Sequence, residues 1–202
     1  MADQGSTEKI FGGTRIMNVK LLKDEFHNCI VGALKKFSES VENQDVYAMV
    51  LDCDSSVGMV SLRYRNKSAF ESELSTYEEY EKKYGWKVYG LHGSEYNPGE
   101  FVFIEYQKSD FVRHFADSYY YYAVGDYYGE GDPIEGIQDD YKEIFWDMIV
   151  DTINRLKEEI KKIGIHTTDN FIIFHCDHDQ SDEERDKMIS MTVDSDLMRS
   201  LG

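Results

Sequence analysis

The chain has 202 residues, with 41% hydrophobic and 14% aromatic side chains, enough for one sizeable domain with its own core and no need of a disulfide or metal staple. Its 22 basic residues face 39 acidic ones, a formal charge of -17. That balance excludes nucleic acid and anionic membrane as natural partners and favours cationic ones.

The three cysteines have no CxxC spacing, which argues against a disulfide framework and reads as small buried hydrophobes. No basic segment followed by an apolar run marks a signal peptide. No stretch approaches the ~18 apolar residues of a membrane span. A cytoplasmic location is expected.

Residues 1–14 are polar and glycine-containing, and a frayed N-terminus is expected there, with a single α+β domain over 15–202. Leu22, Phe26, Cys29, Ile30, Ala33, Leu34 and Phe37 recur at three- and four-residue spacing, so 18–38 reads as an amphipathic helix. Val46 to Leu51 is apolar on both faces, as a central strand would be. A turn at 52–56 and a return strand over 57–64 complete an antiparallel hairpin. Ser68 and Glu71 have capping-box spacing for a helix ending near Gly85. Two further strands are expected over 86–92 and 101–106, around a turn-rich segment. Ser109 is placed to cap the next helix. Residues 125–136 read as a loop and 141–163 as the longest helix. An apolar strand over 171–178 and a second capping box, Ser181 with Glu184, close the chain. The expected fold is a mainly antiparallel sheet with helices packed on it.

Two strands end in acids around a cysteine: 46–54 and 171–179. Alternation along a strand puts His175, Asp177 and Asp179 on one face and Cys176 on the other. If the strands are neighbours, Asp52, Asp54, His175 and Asp177 converge as candidate ligands for a divalent metal such as zinc, manganese or iron. The plain alternative is that these acids cap strand ends where they meet water. Neither segment fits an EF-hand, whose sixth and twelfth positions are Gly and Glu; from Asp177 they are Asp182 and Met188, and from Asp52 they are Val57 and Arg63. Asp52 and Asp54 also resemble the Asp-x-Asp nucleophile motif of the haloacid-dehalogenase phosphatases, which would make them nucleophile and acid/base. Ser56 stands where that family has Thr, and the segment that follows reads as a return strand. A metal-dependent hydrolase or phosphatase is therefore the alternative function.

The other conspicuous feature is aromatic. Tyr119, Tyr120, Tyr121 and Tyr122 are adjacent, with Tyr127 and Tyr128 close behind. Four successive positions on a helix point all round it, so these rings cannot all be core. Asp126, Glu130 and Asp132 lie among them. Tyrosine anchors inside an acidic rim suit a basic protein partner; mixed core and surface packing beside a solvated acidic loop is the plain alternative.

Residues 46–54, the segment Asn66 to Glu71, and the closing succession of long helix, Gly164 and strand 171–179 resemble an uncharacterised bacterial family, domain of unknown function 4303. The Trp-containing middle matches poorly. The family has no established activity to carry over. Similar small acidic families include immunity proteins that neutralise toxins. The resemblance thus implies a non-enzymatic, immunity-like antidote binding a basic protein such as a toxin, with no resident cofactor.

Overall fold

The computed structural model describes residues 10–11, 14–15, 17–178 and 180–201. Most of the segment expected to fray, and Asp179, fall outside them. Within the former, β1 (Ile10–Phe11) and β2 (Thr14–Arg15) form a small antiparallel hairpin.

The first helix, α1 (Val19–Ser38), begins where the side chain of Asn18 accepts the Leu21 amide, and its apolar stripe is buried as the periodicity requires. The strand β3 (Val46–Asp54) turns back into β4 (Met59–Asn66), and Gly58 in that turn has φ +70°. β4 then runs directly into α2 (Lys67–Tyr84). The cap of α2 is Asn66, whose side chain accepts the Ala69 amide. This corrects the expected Ser68–Glu71 box: the Ser68 hydroxyl only donates to Asn66.

Residues 86–92 are not a strand. The segment folds on itself, with backbone bonds from Ser94 to Lys87 and from Glu95 to Val88. Gly93 permits the close approach, because a Cβ there would lie 2.5 Å from a carbonyl oxygen. The next strand shrinks to β5 (Val102–Ile104). It is followed by α3 (Asp110–Val124), capped by Ser109, and α4 (Tyr141–Ile163), ended by Gly164 in the left-handed conformation. The chain closes with β6 (Thr167–Asp177), α5 (Asp182–Ser190), which carries the full Ser181–Glu184 capping box, and α6 (Ser195–Leu201).

The fold is α+β, with a four-stranded sheet in the order β5-β4-β3-β6. The sheet is mainly antiparallel, as expected, but not purely so: β4 pairs antiparallel with β3 and β5, and β6 lies parallel to β3. A parallel neighbour demands a long crossover, and α4, packed against both α1 and β6, is the last leg of it. Met49, Leu51, Cys53 and Ile173 face α1, α3 and α4, while Ala48, Val50, Ile172, Phe174 and Cys176 face Phe70, Tyr77, Leu91 and Ile189. Val46 and Tyr47 break the alternation. A register irregularity between Val46 and Ala48 places Tyr47 on the same face as Ala48.

Candidate functional site

The parallel register settles how the two acidic strand ends meet. Asp52 lies opposite Cys176, and Cys53 lies opposite Asp177. Residues level with one another on paired strands share a face. Asp52 therefore belongs to the Cys176 side of the sheet, and His175 and Asp177 belong to the Cys53 side.

The four expected metal ligands are thus not brought to one point. Each has a separate set of partners. Asp52 is buried and takes Arg63 Nη2 at 2.7 Å, the Cys176 thiol at 3.4 Å and, more loosely, His178 Nδ1 at 3.5 Å. Asp54 accepts the amide and hydroxyl of Ser56, at 3.1 and 2.5 Å. Asp177 accepts the Ser55 amide at 2.8 Å and the Ser55 hydroxyl. Among the described residues, no group of three or more His, Cys, Asp or Glu side chains could hold a metal ion. The convergence failed because strand alternation gives the face within one strand and not the register between two. Asp52 is equally ill-placed as a nucleophile, being locked to Arg63 and 5% exposed.

The thiols are quiet. Burial pushes Cys176 well above the usual range, and Asp52 adds to it; burial likewise raises Cys53. Both are free.

His175 is a different matter. It is 1% exposed, and its buried Nδ1 has no hydrogen-bond partner among the described residues. Burial pulls the imidazole down to about 4, with the Asp177 charge working in the opposite direction, so the ring is neutral at ordinary pH. It stacks obliquely beside Trp146, centroids 5.7 Å apart. Both line a cavity of about 510 Å³ between β6, α4 and α5. The sequence reading missed this cavity, because Trp146, Met188 and Met191 are far from His175 along the chain. The available signal was a histidine inside an apolar strand.

The tyrosine surface is split by the fold. Tyr119 is fully buried, its hydroxyl donating to the Ser55 carbonyl at 2.5 Å and its ring packed on Tyr141 and Phe145. It is core, which corrects its place in the expected patch. Tyr122 is half-buried and donates to the Ile134 carbonyl at 2.7 Å. Tyr121 and Tyr128 are exposed, Tyr128 to 78%, and Tyr120 and Tyr127 are half-buried beside them. They pair off, Tyr120 with Tyr128 and Tyr121 with Tyr127, at centroid distances of 5.9 and 6.0 Å. Asp126, Glu130 and Asp132 are all exposed beside them. The 129–130 turn is tied down from Tyr127, and the Asp132 carbonyl meets His114 Nε2 at 3.0 Å. A second exposed aromatic group, Tyr80, Tyr84 and Trp86, was not anticipated either.

No helix among the described residues is long and apolar enough to cross a membrane. No family model matches the chain, and no curated protein or solved structure is significantly similar to it.

Proposed function

We propose that this chain is a non-enzymatic protein-binding module that engages a basic protein partner, as an immunity protein engages a toxin. The observation that carries the reading is the surface at the end of α3 and the loop after it. There Tyr120, Tyr121, Tyr127 and Tyr128 stand among the exposed carboxylates Asp126, Glu130 and Asp132. Tyrosine rings bury much area at little entropic cost. Carboxylates around them add steering toward a cationic surface and suppress acidic competitors. The net charge of -17 acts in the same direction over a longer range.

The test is affinity capture with the purified chain, then titration of the captured basic protein against wild type and the triple variant Asp126→Lys, Glu130→Lys, Asp132→Lys. The variant should bind at least about tenfold more weakly, and the wild-type affinity should fall with added salt. Unchanged affinity of the variant would sink the patch.

A further inference from the structure

The cavity at His175 lies in a different part of the fold and calls for a ligand of its own. Three features define what fits there. Its volume, about 510 Å³, falls in the range of small-molecule pockets, roughly 300–1,000 Å³. Its apolar lining is an indole and two thioethers, Trp146, Met188 and Met191, which together suit a flat aromatic ring: aromatic faces stack and thioether sulfurs pack against ring edges. Finally, His175 lines the cavity with its ring set obliquely beside Trp146.

Charge narrows the choice further. Among the described residues, Asp177 and Glu184 line the cavity against one cation, Lys187, and the whole chain carries -17. An anionic ligand would enter against the local and the global field.

We propose that this cavity is a binding site for a small aromatic molecule of one or two rings, uncharged or cationic, held between Trp146 and the two methionines beside the His175 ring. The site is separate from the tyrosine surface and does not depend on it.

Benzimidazole is a suitable probe, with benzimidazole-5-carboxylate as its anionic counterpart. Binding is followed by Trp146 fluorescence in a Trp86→Phe background, Trp86 being exposed, and by the imidazole nitrogen resonances of His175. Benzimidazole should saturate with a Kd of about 1 mM or tighter and shift the His175 resonances. The carboxylate should bind about tenfold more weakly. Met191 is an exposed residue at the end of α5, so Met191→Ala retains the fold and still weakens binding severalfold. Absence of saturation up to about 10 mM, unshifted His175 resonances, or equal binding of the carboxylate would overturn the proposal. So would unchanged affinity in Met191→Ala.

Discussion

At the scale of single residues, two positions report how tightly the fold is specified. Gly58 has φ +70°, and a Cβ there would lie 2.5 Å from the ring of Tyr119. Gly58→Ala therefore combines backbone strain with overpacking, and should cost about 2–3 kcal/mol in urea denaturation. An effect below about 0.5 kcal/mol would mean that Tyr119 moves freely. His175 makes the second case. Its folded value near 4 lies below the ordinary 6.5, so the unfolded chain takes up the proton first as pH falls. The stability that the neutral ring contributes is complete above about pH 6.5 and is lost between there and about pH 4, to a total of about 3 kcal/mol. His175→Phe should flatten this window relative to wild type when unfolding is measured at pH 7 and pH 4.5. Equal pH dependence in the two proteins would show that the imidazole is charged in the fold.

At the scale of elements, the direct passage from β4 into α2 rests on a buried cation. Arg65 is 1% exposed. Its guanidinium donates to Glu73 and Tyr77, at 2.7 and 2.8 Å, and to the Glu100 carbonyl. One side chain thus ties strand, helix and the turn before β5 together. Arg65→Met should lower stability by about 3 kcal/mol, because Tyr77 and the Glu100 carbonyl are left without a donor. Glu73 is half exposed, so Glu73→Gln should cost under about 1 kcal/mol. A larger loss from Glu73→Gln than from Arg65→Met would reverse this assignment. On the opposite face, α4 contributes Ile149 at zero exposure, and Ile149→Ala should cost about 3 kcal/mol. These helices were legible in advance. The spacing of Leu22, Phe26, Ile30 and Phe37 specified α1, and Ser109, Gly85, Gly164 and the Ser181–Glu184 pair marked element ends at the right residues. The strands were less so. Val88 and Leu91 are isolated apolar anchors inside a loop, and in a short window they imitate a strand.

At the scale of the whole molecule, what one chain could not disclose was register. Alternation correctly put Asp52 with Asp54, and His175 with Asp177. Whether the two pairs face one another depends on how β3 slides along β6, and a slip of one residue exchanges the faces. The cavity at His175 was invisible as well, since it needs α4 and α5, which flank β6 in the chain, to pack together at the end of that strand. Charge acts globally as well. At -17 the folded chain repels itself more than the expanded one, so its melting temperature should rise as sodium chloride is raised from about 10 to 200 mM. A flat response would mean that local ion pairs, such as Lys23 with Asp147 and Arg155 with Asp24, offset the repulsion.

The turn between β3 and β4 touches both proposed surfaces. Asp177, which lines the His175 cavity, holds the Ser55 amide and hydroxyl, and the Ser55 carbonyl takes the hydroxyl of Tyr119 beneath the tyrosine surface. One residue is thus clamped from two sides, and its opening is a shared equilibrium. By thermodynamic reciprocity, any ligand that biases this opening changes the affinity of the other surface by the same factor that the other changes its own. The exchange rate of the Ser55 amide proton should report on both: slow in the wild type, and faster in Asp177→Asn and in Tyr119→Phe alike.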